Sequence, residues 1–410
     1  MVAHAFSQSI NNSRAHKHGY ERLRRFVHST VLHLTPDLGN NQNAREVVDF
    51  SIQAHRQGWR PIVASAGGDL VIEAERAAVR HARIPLNVNN FVARWRSRFM
   101  LEALYQRVRP KIVHAHGFEV LAQASRVSFL HHVPLLVDLT DPAPFTRERR
   151  KLLQTAAQRR TWFRVPSAFM AEHLRQEHGL DSGFLYQVPP GVDMQWFDAA
   201  RVSPERLQKL GELWRLPEQA AIILMPAPLA PGYGHKQLLE AMTRLRRKDI
   251  FAVFVGSDKT SPGTRSETEK LVLSCGLGER VVMPEVCPDW PAACWLSTIV
   301  VSINTTPRGQ SLELLSAQAM GRPVIVTDCG ANTEMVKGGE TAWVISPGNV
   351  DMLTQALGEA ASMNQSQRIN LAVRARTFVA EAFSGETWRS SMIGLYESML
   401  GRPPSMAETS

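Results

Sequence analysis

The sequence has no apolar run of the roughly 18 residues that a membrane-spanning helix needs, and it has only four cysteines in 410 residues. Cys275, Cys287, Cys294 and Cys329 all lie in the second half, without CxxC spacing or a paired histidine motif. This pattern argues against a zinc site or a disulfide framework and favours free thiols in a reducing compartment. No recognised nucleic-acid motif is present, so nucleic acid is not an expected partner.

The N-terminal stretch 1–27 also lacks the continuous apolar segment of a secretory signal. Its basic residues and missing apolar periodicity predict a flexible basic tail, and a second tail is predicted at 401–410. With no secretory signal and no membrane span, the sequence predicts a cytoplasmic protein.

Positive charge is in excess, with 47 Lys and Arg against 38 Asp and Glu and a formal net charge of +9. Solvated helix faces account for most of the basic runs, but a basic surface also suits an anionic membrane or an anionic saccharide. We therefore expect peripheral association with the inner membrane face. The runs lie at 22–25, 94–98, 107–111, 147–151, 159–160 and 244–248.

Short apolar runs alternate with helical segments along the whole chain, which predicts βαβ units with parallel strands. The length predicts two domains. Pro189-Pro190-Gly191 reads as the linker, so the domains are predicted at 28–190 and 191–384. Strands are predicted at 31–35, 61–65, 84–86, 111–114, 134–139, 162–165, 184–188, 221–225, 251–256, 281–283, 299–302, 323–327 and 342–345, with helices between them, one of them at 70–80.

One strand–loop–helix–strand unit, at 298–328, is especially clear. A strand at 299–302 leads through the polar loop 305–310 to Ser311, which caps a helix with Glu313 in its first turn. Ligands of parallel sheets bind where strand ends feed helix N-termini. Ser311 is therefore a candidate phosphate contact, and Glu313 either accepts a ribose hydroxyl or only complements the helix dipole.

This unit resembles the signature segment of family 4 glycosyltransferases, which have the GT-B fold. The run AQAMGRPVIVTD, followed by Gly330 and Glu334, carries the resemblance, which extends from about residue 31 to the C-terminal helix. It implies an α/β protein of two Rossmann-like, doubly wound domains facing a cleft. It also implies that the helix at 385–400 crosses back onto the first domain.

The resemblance further implies a hexosyltransferase that retains anomeric configuration. The expected co-substrate is a nucleotide-sugar, and the expected acceptor is lipid-linked or a cell-surface polysaccharide such as lipopolysaccharide or exopolysaccharide. No metal and no other cofactor is expected.

Three family positions near the reaction centre are substituted here. The two family glutamates fall on Arg308 and Ser316, and a histidine that contacts the donor sugar falls on Thr140. Asp141, which follows that position in the family, is retained. We expect Arg308 to offer the donor phosphates a cation from the opposite side.

The two family cations that hold the diphosphate are also substituted, because they fall on Pro228 and Tyr233. Lys236 is either a replacement phosphate contact or a surface lysine. These substitutions support an alternative function, a catalytically silent GT-B scaffold that regulates a partner glycosyltransferase.

Further candidates follow predicted strands. The loop with Gly39 and Asn40 either contacts sugar or phosphate or only caps the next helix through Asn43. His116 is either a ligand contact or a structural histidine, and no third ligand is spaced to make a metal site with His114.

Two candidates come from the second predicted domain. Gly256 fits a close backbone approach at a strand end. Glu334 is either a helix-borne carboxylate near the nucleotide or a structural residue.

Overall fold

The structure, a computed structural model, describes residues 29–39, 42–88, 90–142, 146–159, 161–259 and 261–401. The tail predicted for 1–27, most of the tail predicted for 401–410, and Asn40 lie outside these ranges. No helix in the described part of the chain is both long and apolar enough to cross a membrane.

Parallel strands form two sheets. The strands are β1 (Thr30–Leu34), β2 (Arg60–Ser65), β3 (Arg80–Arg83), β4 (Ile112–His116), β5 (Leu135–Asp138), β6 (Thr161–Val165), β7 (Leu185–Gln187), β8 (Ala221–Pro226), β9 (Ile250–Val255), β10 (Val281–Val282), β11 (Ile299–Ser302), β12 (Val324–Thr327) and β13 (Ala342–Ile345). The first sheet has the order β3-β2-β1-β4-β5-β6-β7 and the second the order β10-β9-β8-β11-β12-β13. The predicted pair of doubly wound, Rossmann-like domains is confirmed.

Helices cover both faces of each sheet. They are α1 (Gln42–Arg56), α2 (Val71–Arg76), α3 (Phe91–Val108), α4 (Leu121–His131), α5 (Arg147–Ala157), α6 (Ala168–His178), α7 (Pro204–Leu213), α8 (His235–Leu245), α9 (Thr264–Ser274), α10 (Trp290–Leu296), α11 (Leu312–Ala319), α12 (Val350–Ala361), α13 (Gln365–Ala382) and α14 (Gly385–Gly401). Short 3₁₀ turns lie at Phe118–Val120, Ser182–Phe184, Ala199–Arg201 and Asn332–Met335.

Two parts of the predicted element order are wrong. The third strand is β3, not 84–86, and the helix before it ends at Arg76 because Ala78 adopts a positive φ of 63°. β3 is an edge strand of sequence RHAR whose residues are exposed or half-exposed, so it lacks the apolar signal of a buried strand. The short helix α10 was not predicted, although Asp289 caps it and a proline stands in its first turn.

The C-terminal helix α14 packs beneath the first sheet. Its Trp388, Met392 and Tyr396 join a buried cluster with Phe50 and Trp59 from the first half of the chain. The chain passes between the two domains near Val192 and again near Gly385. Backbone hydrogen bonds join these two segments, because Val192 N donates to Phe383 O and Gly385 N donates to Val192 O, both at 2.8 Å.

Each sheet reverses its winding direction once, between β1 and β4 in the first and between β8 and β11 in the second. In doubly wound sheets the ligand crevice opens at the carboxyl ends of strands near this switch point. The loops after β1, β4, β5 and β11 supply residues to one cavity between the two sheets.

Candidate active site

A cavity of about 680 Å³ lies between the two domains. The first domain lines it with Asp37, His116 and Asp138, and the second with Gln310 and Glu313. A smaller cavity of about 200 Å³ adjoins it on the side of the second domain. Asp141 and Glu313 line both, so the two spaces form one continuous candidate site.

The loop between β11 and α11 reaches across to the first domain. Ser167 Oγ donates to Gly309 O at 2.9 Å. A Cβ atom on Gly309 would lie 2.2 Å from Thr140 O, so only glycine allows this approach. The substituted family position Thr140 therefore touches the loop through its backbone, and it also lines the larger cavity.

Arg308 and Tyr233 form a pair in the smaller cavity. The Arg308 guanidinium carbon lies 4.0 Å from the centre of the Tyr233 ring, which is cation–π geometry. Arg308 Nε has no hydrogen-bond partner within the described part of the chain. Its backbone is fixed, because Ala331 N donates to Arg308 O at 2.8 Å. The side chain is therefore positioned with hydrogen-bonding capacity to spare.

This pair replaces the two charges that the resemblance implies at the same places. The family lysine position holds the aromatic Tyr233, and a family glutamate position holds the cation Arg308. Positive charge is thus present in the smaller cavity, but it comes from the loop before α11. Among the described residues that line that cavity, Arg308 is the only Lys, Arg or His.

The helix N-terminus at α11 is capped as predicted from the sequence, since Ser311 accepts from Leu314 N at 3.4 Å. Glu313 is the second residue of the helix, and its Oε2 lies 3.5 Å from Ser311 Oγ. Burial raises the pKa of Glu313, and the nearby Asp141 carboxylate raises it further. Both residues line the smaller cavity. Their roles as contacts of the nucleotide-sugar stay predictions.

Ser316 does not line either cavity. The residue is 1% exposed, and its hydroxyl donates to Leu312 O at 2.8 Å within the same helix. A hydroxyl bonded to its own helix backbone is not available to a ribose. The second family glutamate therefore has no side-chain replacement at this position.

Lys236 also lies outside both cavities. Its ammonium is 3.9 Å from Glu240 on the same helix, and its side chain is 69% exposed. The preceding His235 is buried against Phe254, and burial lowers its pKa to about 4. His235 is therefore neutral near pH 7, and the geometry favours the surface-lysine alternative for Lys236.

Gly39 and Gly256 have backbone roles. Gly39 N donates to Asp37 Oδ1 at 2.8 Å, which folds the loop after β1. A Cβ on Gly256 would lie 2.1 Å from Ala227 O, so the ends of β8 and β9 meet only because this residue is glycine. Neither glycine lines the cavities.

Glu334 connects the two domains. Its Oε2 accepts from Ala168 N and its Oε1 from Phe169 N, both at 2.7 Å. The carboxylate thus lies at the N-terminus of α6, where the helix dipole favours negative charge. In this arrangement both oxygens serve the domain contact, which favours the structural alternative for Glu334.

Beneath the larger cavity a buried polar network joins β1, β4 and β5. His33 Nδ1 lies 2.9 Å from His116 Nε2, and His116 Nδ1 lies 3.1 Å from Asp138 Oδ2. His114 Nδ1 contacts the Tyr396 hydroxyl at 2.7 Å. His116 is thereby oriented at the cavity floor through contacts on both of its ring nitrogens.

Electrostatics fix the protonation of this network. Burial and the adjacent His114 lower the pKa of His116 to about 4, so the ring is neutral at pH 7. Burial would raise the pKa of Asp138, but His114 and Arg164 outweigh it and hold that pKa well below its usual range. Asp138 is therefore a carboxylate that accepts a hydrogen bond from His116.

The same histidines are the described residues best placed to hold a metal ion, because ligand atoms of His33, His114 and His116 lie within 4.8 Å of one another. The sequence spacing offered no third ligand beside His114 and His116, but the fold brings His33 next to them, so that expectation is wrong. The present rotamers instead use these rings in contacts with each other, Asp138 and Tyr396. Those contacts account for the cluster without a metal ligand role.

Comparison with known proteins agrees with this architecture. Residues 44–196 match the model for Glycosyltransferase Family 4, and residues 220–362 match the model for Glycosyl transferases group 1. The chain belongs to glycosyltransferase family 4. The family recognised in the sequence is thus confirmed.

Two curated relatives of this family 4 member are mycobacterial. The MMP alpha-(1->4)-mannosyltransferase of Mycolicibacterium hassiacum is 30% identical over 184 residues, covering 44% of each chain. The GDP-mannose-dependent alpha-(1-6)-phosphatidylinositol monomannoside mannosyltransferase of Mycolicibacterium smegmatis is 26% identical, covering 54% of this chain and 57% of its own. The chain spans about half the length of these relatives.

Solved structures share the GT-B fold over most of the chain. A glycosyltransferase from Rickettsia africae superposes with a TM-score of 0.81 at 21% identity, covering 91% of this chain and 99% of its own. Anabaena HepE in complex with UDP and glucose gives 0.80 at 16% identity, covering 90% and 100%. At these identities the likeness shows the fold.

Sequence reasoning missed His33, Asp138 and Tyr396 as parts of the site. His33 and Asp138 lie inside apolar strand segments, and their polarity there was the available signal, since buried polar groups need partners. Tyr396 lies 282 residues from His114 and gave no local signal.

Proposed function

We propose that this protein transfers a hexose from a nucleotide-sugar to a lipid-linked or cell-surface polysaccharide acceptor, with retention of anomeric configuration. The observation that carries the proposal is Arg308, a positioned cation in the smaller cavity beside the N-terminus of α11. The curated M. smegmatis relative, whose name specifies GDP-mannose and a phosphatidylinositol mannoside, supports the donor and acceptor classes.

The donor diphosphate would bind between Arg308 and the α11 N-terminus. A helix N-terminus offers unpaired N–H groups and a positive dipole end to phosphate. A charge-assisted hydrogen bond contributes about 1.5–3 kcal/mol. Arg308 would contribute on that scale because its Nε has no partner within the described chain.

Arg308 would also act in the reaction. When the glycosidic bond to the diphosphate breaks, negative charge grows on the leaving oxygen, and a fixed cation stabilises that charge. The guanidinium is held for this purpose on the Tyr233 ring at 4.0 Å. Asp141 and Glu313, which line both cavities, offer hydrogen-bonding groups to the hydroxyls of the transferred sugar where the two cavities join.

The test is nucleotide release from UDP-glucose, UDP-galactose and GDP-mannose by the wild type, by Arg308→Lys and by Arg308→Ala. We expect release by the wild type, partial release by Arg308→Lys, and at least about tenfold less by Arg308→Ala. Arg374→Ala is the matched control, because Arg374 is an exposed arginine of the second domain outside both cavities.

A catalytically silent scaffold is the second candidate function. It is favoured by Ser316, whose hydroxyl bonds to Leu312 O, and by Pro228 and Tyr233, which supply no cation to the diphosphate. On this alternative none of the donors is turned over, and the cleft binds no nucleotide up to millimolar concentration.

A further inference from the structure

The larger cavity is acidic although the chain as a whole is basic. Of the arginines and lysines that the structure describes, only Arg149 lines it, while the net charge of the chain is +9. The carboxylate side chains that line it are Asp37, Glu46, Glu119, Asp138, Asp141 and Glu313. Arg149 belongs to the basic run at 147–151, and no other described residue of the basic runs lines the cavity, so a ligand inside it meets more carboxyl groups than cations.

Some of these carboxylates already have partners. Glu46 Oε1 lies 3.2 Å from Arg164 Nη1, and Asp37 Oδ1 accepts from Gly39 N. Asp138 Oδ2 accepts from His116 at 3.1 Å. These contacts fix the shape of the cavity floor but do not use all of its hydrogen-bonding capacity.

Two acceptors among the lining side chains are unused. Asp138 is 5% exposed, and its Oδ1 has no partner in the described chain. Gln310 Oε1, on the opposite wall, also lacks one. A buried acceptor without a partner is costly, so the ligand that fits here brings hydrogen-bond donors.

Carboxyl groups among the lining residues repel one another. Burial raises the pKa of Asp141, and the Glu119 carboxylate raises it further. Arg308 and a hydrogen bond from the Gly309 N–H lower it. Burial raises the pKa of Glu313 in the same direction, with a contribution from Asp141. A bound cation or donor relieves this repulsion, whereas a bound phosphate or carboxylate adds to it.

We propose that the acceptor sugar held in this cavity presents hydroxyl and protonated amino groups and carries no phosphate or carboxylate. The inference rests on the proposed function, because it assigns the larger cavity to the acceptor. It separates two effects of charge: the basic outer surface attracts anionic surroundings, and the acidic cavity selects an uncharged or cationic saccharide from them.

The test is calorimetric titration of the full chain, without donor, with the methyl glycosides of glucosamine, N-acetylglucosamine and glucose 6-phosphate. We expect the glucosaminide to bind at least threefold more tightly than the N-acetylglucosaminide, and the phosphate to bind most weakly. Equal affinities, tighter binding of the phosphate, or no binding of the glucosaminide would overturn the proposal.

Variants locate the effect. Asp141→Asn combined with Glu119→Gln should abolish the preference for the glucosaminide. Glu75→Gln, which removes an exposed carboxylate outside the cavity, should keep it. If the double variant keeps the full preference, the cavity carboxylates are not its source. Nucleotide release is measured separately, so an inactive protein that still ranks the three glycosides in the expected order contradicts only the proposed transfer.

Discussion

The two walls of the cleft are built on the same sheet topology but differ in their polar chemistry. On the first-domain wall, His33, His116 and Asp138 form a buried network that fixes each side chain through another. On the second-domain wall, Arg308 is held by one aromatic ring and keeps an unpartnered nitrogen. The polar side chains of the first wall contact one another, although Asp138 Oδ1 has no partner in the described chain, and the second wall holds a cation with an unpartnered nitrogen.

In this fold the charges of the cleft side chains differ from those that the family resemblance implies, although the close backbone approaches are present. Gly256 and Gly309 permit close backbone approaches that bring strand ends and domains together. Yet Tyr233, Arg308 and Ser316 replace the charges that the family resemblance implies at those places. The close backbone approaches are present while a cation, Arg308, stands at a position where the resemblance implies a glutamate.

The largest change is expected for His235, a buried histidine of the second domain that lines neither cavity. The His235 ring packs edge-on against Phe254, its Nε2 has no hydrogen-bond partner in the described chain, and burial lowers its pKa from 6.5 to about 4. The unfolded chain therefore binds more protons between these pH values, so stability is lost as the pH falls through this window. At 1.36 kcal/mol per unit the loss approaches about 3 kcal/mol at pH 4.

Replacing His235 by Leu should remove this part of the pH dependence. Urea unfolding of wild type and His235→Leu from pH 7 to pH 4 measures it, and their difference in unfolding free energy should move in favour of the variant. Parallel curves at all pH values would show that His235 does not titrate as its burial requires.

The second effect breaks the contact between the walls. In Gly309→Ala the new Cβ would meet Thr140 O at 2.2 Å and Met170 Sδ at 2.9 Å. Overpacking of this kind costs about 1–3 kcal/mol, so the loop moves and UDP or GDP affinity should fall roughly tenfold or more. Gly394→Ala is the control, because its Cβ meets nothing within 4 Å. Equal nucleotide affinities for the two variants would contradict the role given to the loop.

A third effect concerns domain closure. Glu334→Gln keeps the size of the side chain but removes the charge that caps α6 through Ala168 N and Phe169 N. We expect about 1 kcal/mol less stabilisation of the closed arrangement. Small-angle X-ray scattering should then report a larger radius of gyration, whereas the exposed control Glu340→Gln should match the wild type. An unchanged radius for Glu334→Gln means that this contact does not hold the cleft.

The smallest change is expected at the surface of the first domain, on α3, which lines neither cavity. Phe91, Trp95 and Phe99 are 76%, 64% and 67% exposed on one side of this helix, among Arg94, Arg96 and Arg98. Exposed aromatics between arginines fit an anionic lipid surface. Trp95→Ser with Phe99→Ser should lower co-sedimentation with anionic vesicles several-fold, and high salt should lower it for both proteins. Binding that neither change affects would argue against membrane association through α3.

Much of the fold follows from local sequence, because buried parallel strands are short apolar runs and helices carry caps such as Ser203 and Ser311. The edge strand β3 escaped because its exposed RHAR sequence has no apolar signal. The sequence pattern indicated both ends of the Arg308–Tyr233 pair, but not their contact. That contact depends on loops 75 residues apart that only the second sheet brings together.

We propose that Arg308 takes the place of the family cations that hold the diphosphate of the nucleotide-sugar. The direct measurement is calorimetric titration of wild type, Arg308→Lys and Arg308→Ala with UDP and with GDP. We expect micromolar affinity for one nucleotide, partial retention in Arg308→Lys, and at least about tenfold weaker binding in Arg308→Ala. Nucleotide binding that is equally tight in the wild type and in Arg308→Ala would contradict it.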